Sequence, residues 1–190
     1  GDFSTELAAD TLNGIYIGLS DDATATTKVA KRRAVEGVKI EAFGGVENGT
    51  VSGNVLMVAL EVGNLAKERI SFDGSYYKFD FTGLSFASAV AAYQVVGNNT
   101  EIEIVGWDNA NLTIANNFYM DGITFSTADT LTTTTLFYKD SFIDSFRIGS
   151  VGVKYKGVQD GTDRIKAFMR VHAANVNVDT LLLDGCYMGV

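Results

Sequence analysis

The sequence predicts an all-β fold, an antiparallel β-sandwich or jelly-roll-like domain with at most one or two short helices. Three observations carry that expectation. Apolar and polar residues alternate with a period of two from one end of the chain to the other. Alternating apolar pairs, Ile102/Ile104, Leu112/Ile114 and Ile123/Phe125, return at short, nearly even spacing. Stretches rich in Asn, Asp and Gly separate them, as in a meander of short strands.

The elements follow in order. Ile15, Ile17 and Leu19 fall on one face of Gly14–Leu19, and Val38–Phe43 repeats the pattern with its charges outward. Val55–Val62 is a continuous apolar run between Gly53 and Gly63, which reads as a strand buried on both faces, with a buried helix as the other reading. Tyr76–Phe81 is a further strand, and Gly106–Asn109 and Asn116–Gly122 are read as turns. The last third continues with Leu131–Tyr138, Phe146–Ile148, Val151–Tyr155, Ala167–Ala173 and Val176–Leu183. Two segments have loose helical spacing, Ala23–Val35 and Phe86–Val96, the first weakened by its threonines and Val29.

A β-solenoid-like stack is the alternative architecture. Four segments read as turn residue, glycine, then apolar-x-apolar, at Gly14, Gly83, Gly122 and Gly185. A solenoid is expected to repeat with a fixed period, and those glycines share none. Asp-Gly and Asn-Gly equally suit two-residue hairpins. The 190 residues are expected to form one β-rich domain, with residues 1–37 set apart as a candidate peripheral arm.

Composition narrows the function. A net charge of −8 argues against nucleic-acid binding, which depends on neutralising phosphates with Lys and Arg. No apolar run is long enough to span a bilayer as a helix, and no secretory leader pattern opens the residues given. One cysteine, Cys186, excludes an intramolecular disulfide and a multi-thiolate zinc site. There is no proline, so edge strands have to be protected by charge, by bulges or by pairing.

No catalytic motif stands out. His172 is the single histidine and lies on a strand-like segment far from Cys186. Glu101 and Glu103 share one strand face, a spacing compatible with glycoside cleavage, although a solvated face has the same pattern. The oxygen-rich turns at Asp160–Asp163 and Asp108–Asn111 are candidate Ca2+ ligands, led by Asp160 and Asp163 with Asp108. Trp107, beside Asp108 and Asn109, is a candidate sugar-stacking platform together with Tyr119.

Charge is segregated along the chain. Lys28, Lys31, Arg32, Arg33 and Lys39 cluster, whereas the whole segment Phe79–Tyr138 contains six acids and no Lys or Arg. The basic cluster is therefore a candidate self-association patch for an acidic surface on a second copy. Strand-like segments near both ends suit strand addition. The expectation is a non-catalytic structural or adhesive subunit of an extracellular, cell-surface or virion assembly, with itself as partner and no required cofactor. The alternative is a carbohydrate- or calcium-binding β-sandwich module, with glycans as partners.

Overall fold

Alternation of period two puts one residue in two on the core side of a strand, and it does so whether the neighbouring strand runs parallel or antiparallel. Direction is set by what joins the strands. Hairpins join antiparallel neighbours, whereas parallel neighbours need a long crossover. In a computed structural model describing residues 4–5, 16–18, 29–31, 38–84, 91–106, 112–129, 131–143, 146–157, 165–173 and 176–184, the crossovers prevail.

Strands β1 (Tyr16–Gly18) and β2 (Val29–Lys31) form a small antiparallel pair of their own. The main sheet holds ten strands: β3 (Val38–Lys39), β4 (Thr50–Ser52), β5 (Ile70–Phe72), β6 (Tyr76–Asp80), β7 (Ala91–Val105), β8 (Leu112–Thr127), β9 (Leu131–Ile143), β10 (Phe146–Tyr155), β11 (Ile165–Ala173) and β12 (Val176–Asp184). Every pairing within it is parallel. The sheet is curled and carries a helix, which gives it α/β character.

This overturns the antiparallel sandwich or jelly roll. The alternation was legible, but each strand of the main sheet pairs with one a circuit of chain away and not with a hairpin partner. A stack with one fixed period does not describe it either. Thr50, Lys78, Glu103, Ser126, Lys154 and Asp184 are successive register partners, and the steps of sequence between them are unequal.

Three columns of pairing make up the curl. The first runs through β4, β6, the ends of β7 and β8, β10 and β12. Its inward row includes Tyr77, Ile102, Phe125 and Val153, all buried. The second runs Val38, Ile70, Val95, Met120, Ile148 and Val178, of which the first five are buried. The third links Ala91, Thr113, Tyr138 and Arg170. The first two columns stack apolar side chains from circuit to circuit, so burial on one face specifies register.

The long strands pass between columns by bending. The register of β7 against β8 shifts between Ala92 and Gln94 and again between Val96 and Thr100. Asn99 and Gly122 adopt positive φ, 55° and 64°, at the second bend. The Asn116–Gly122 segment, expected as a turn, therefore lies inside β8. Gly122 has the positive φ expected of it, but it bends a strand and does not reverse the chain. Thr100 is buried at the same bend and donates its hydroxyl to the Gly74 carbonyl at 2.7 Å.

The apolar run Val55–Val62 belongs to a helix, α1 (Gly53–Ala66). Ser52 caps its N-terminus by accepting from the Asn54 N–H at 3.3 Å. Lys67 ends it in the left-handed conformation, and the Glu68 N–H donates to the Gly63 carbonyl at 2.9 Å. Leu56, Met57, Ala59, Leu60 and Val62 are buried on several sides of α1, so no narrow apolar stripe distinguished it from a buried strand. Both helical segments expected from spacing contain strand where described: Val29–Lys31 is β2, and Ala91–Val96 opens β7. Val38–Phe43 keeps only two strand residues before a 3-10 turn over Ile40–Phe43.

Candidate functional site

Polar residues of the first column project from the outer surface of the parallel sheet, and the register brings them into rows. Lys78, Glu103, Ser126 and Lys154 are successive partners in one row; Tyr76, Glu101, Thr124 and Gly152 make the next. Lys156, immediately after β10, has its backbone N–H on the Thr127 carbonyl at 2.8 Å. From there its side chain reaches back to β7.

The result is a bonded cluster. The Glu103 carboxylate takes Lys78 Nζ on Oε1 at 2.9 Å, and on Oε2 it accepts from Lys156 and from the Tyr76 hydroxyl, the latter at 3.0 Å. Glu101 Oε1 accepts from Lys156 at 2.9 Å and from the Ser126 hydroxyl at 2.6 Å. The Lys156 ammonium also stands 5.2 Å from the Tyr76 ring centroid, within cation–π range. The Glu103 side chain is only 9% exposed, so its charge needs these partners.

The titration behaviour follows from that geometry. Burial pushes the Glu103 carboxyl up, but hydrogen bonds from Lys156, Lys78 and Tyr76 outweigh it and hold it at about 2. Burial likewise pushes the Glu101 carboxyl up, but its bonds from Ser126 and Lys156 outweigh it and hold it below its ordinary value. Burial disfavours the Lys156 charge, yet its bonds to Glu103 and Glu101 raise its pKa. A glycosidase pair needs one carboxyl held up as the proton donor. Here both are held down, so the arrangement suits tying strands together and not proton transfer.

A second cluster sits at the β8–β10 bend. The Tyr119 hydroxyl donates to Asp121 Oδ2 at 3.0 Å, and Asp121 Oδ1 accepts from the Ser150 N–H at 2.7 Å. The Arg147 guanidinium stands 5.8 Å from the centre of the Tyr119 ring. Burial, followed by the bond to Asp121, raises the Tyr119 pKa. Tyr119 is thus half-buried and engaged at both its hydroxyl and its ring.

The remaining sequence-predicted residues fall almost entirely outside the described part of the structure. Trp107, Asp108, Asp160, Asp163, Lys28, Arg32 and Arg33 lie outside the described residues, and Lys31 is the last residue of β2. Among the described residues, no group of three or more His, Cys, Asp or Glu side chains could hold a metal ion. No helix among them is long and apolar enough to cross a membrane.

The cation-free middle looks different once folded. Lys78 and Lys156, on either side of it in sequence, neutralise Glu101 and Glu103. Asp80 accepts from the Thr82 N–H at 2.8 Å, and Asp129 from the Gly106 N–H at 2.6 Å. Five of the six acids in Phe79–Tyr138 therefore act as acceptors for the chain's own donors, and the sixth, Asp108, is outside the described residues. Sequence reading placed Glu101 and Glu103 on one face but missed Tyr76, Lys78, Ser126 and Lys156. Their partnership depends on a register that joins segments one or two circuits of chain apart.

The ends of the sheet are a second candidate feature. Among the described residues β12 pairs only with β10, β4 only with β6, and β3 only with β5. Comparison with protein-family models, with curated proteins and with solved structures finds no match for this chain.

Proposed function

We propose that this chain is a non-catalytic structural or adhesive subunit that assembles with copies of itself by β-strand addition, in an extracellular, cell-surface or virion setting. The observation that carries the reading is the edge of β12. It is long for an edge strand, contains no proline, Lys or Arg, and has a strand partner on one side only among the described residues. Such an edge presents a row of backbone donors and acceptors, and proteins that remain monomeric usually blunt it. The polar cluster supports the same reading. Its carboxylates hold strands together, which suits a scaffold more than an acid–base centre.

Sizing of the purified protein combined with negative-stain imaging tests this. Ordered oligomers or filaments that grow with concentration are expected. A strictly monomeric protein with no ordered species at high concentration removes the proposal.

A further inference from the structure

In the first two columns the ends of the sheet correspond row for row. The first column opens at β4 and closes on the Thr180–Asp184 half of β12. The second opens at β3 and closes on the Val176–Val178 half of the same strand. Thr50 and Asp184 stand at the two ends of one line of register partners that passes through four intervening strands. In the second column a line of register partners runs from Val38 to Val178 in the same way.

We infer that copies of this chain stack head to tail, the β12 edge of one seating on the β3 and β4 edges of the next, with Asp184 opposite Thr50. This rests on the self-assembly reading above and names its geometry. Parallel pairing continues unbroken across such a joint, so the rows keep their sides from one copy to the next. The residue types agree: the line of register partners then reads Lys154, Asp184, Thr50, Lys78, with no like charges at neighbouring positions. Because the two contacting surfaces differ, the contact is heterologous and leaves a free end at each step, and growth is open-ended.

Edge-blocked copies test the joint. Thr50→Pro, at the first residue of its strand, blocks the β4 edge, and Asp184→Pro, at the end of an edge strand, blocks the β12 edge. Light scattering is expected to find each variant monomeric alone and the equimolar mixture a dimer, since one intact edge of each kind remains. Dimer formation also shows that both variants fold.

A second pair of variants leaves the backbone untouched. Thr50 is exposed, and Thr50→Glu sets an acid against Asp184 of the next copy. It is expected to raise the dissociation constant roughly twofold to fivefold, and adding Asp184→Asn to the same chain to restore it. An unchanged dissociation constant in Thr50→Glu, or self-assembly of Thr50→Pro copies, overturns the head-to-tail joint while leaving self-assembly standing. A monomeric unmodified protein removes both.

Discussion

At the scale of single residues, Lys156 holds the outer surface together. Its ammonium bonds carboxylates on β7 from a position just past β10, spanning β8 on the way. Lys156→Met leaves the nearly buried Glu103 with Lys78 and Tyr76 alone. A loss of about 1–3 kcal/mol in urea unfolding is expected, the range for a charged hydrogen-bonding group deprived of a partner. Combining it with Glu103→Gln should cost less than the sum of the two changes, because they remove the same contact. An additive double variant contradicts the coupling.

Glu103 also sets a pH dependence. Its carboxyl titrates at about 2 in the folded chain against an ordinary 4.5. A group depressed in this way contributes its stability fully above its ordinary value and loses it as pH falls toward the folded one. The melting temperature should therefore drop between about pH 5 and pH 2, and Glu103→Gln should flatten that drop. If the two proteins lose stability in parallel across this window, the bonds assigned to Glu103 do not stabilise the fold.

At the scale of elements, the bends and the helix decide how the chain winds. Gly122 combines a φ of 64° with a position where a Cβ would run into the Gly97 carbonyl oxygen. Both the conformation and the close approach exclude a side chain. Gly122→Ala should destabilise by more than about 2 kcal/mol, whereas Gly83→Ala, with a φ of 71° but open space around it, should cost less. Equal losses in thermal or urea unfolding would show that the packing at the bend is unimportant. In α1, Leu60→Ala removes a fully buried side chain and should cost about 2–5 kcal/mol, against about 1 kcal/mol for the Ser52→Ala cap. Reversal of that order in circular-dichroism melts would place the helix elsewhere than against the core.

The elements also show what a sequence can and cannot reveal here. Strand positions such as Tyr76–Asp80 and Phe146–Tyr155 were legible because alternation is a local property of one strand. Their direction was not, since the same alternation serves both kinds of sheet. Val55–Val62 reads as a buried strand and is a helix, because a helix buried on several sides shows no stripe. Asp121-Gly122 correctly marked a positive φ, yet a bend within a strand and a hairpin ask for the same residues. The Glu101–Glu103 face was visible, but Lys78 and Lys156 could join it only once the circuits of chain had been counted.

At the scale of the whole molecule, parallel winding unites these observations. It stacks apolar rows inward, brings distant lysines to the carboxylates, and leaves both ends of the sheet with edges in matching columns. The charge segregation of the sequence takes on another meaning in consequence. The acids of Phe79–Tyr138 mostly serve the chain's own donors, so assembly is better sought at strand edges than in attraction between the Lys28–Arg33 cluster and an acidic face.

The most direct measurement is a disulfide across the parallel register. Ser71 and Val96 are partners on the outward side of β5 and β7, a full circuit of chain apart. Ser71→Cys/Val96→Cys, made with Cys186→Ser, should oxidise almost completely to a linked monomer, because adjacent parallel strands put the two Cα atoms about 5 Å apart. Shifting one cysteine to the inward neighbour, Ser71→Cys/Val95→Cys, should abolish the link. Linking of the shifted pair, or of neither, contradicts the parallel register on which the polar cluster and the matched ends both depend.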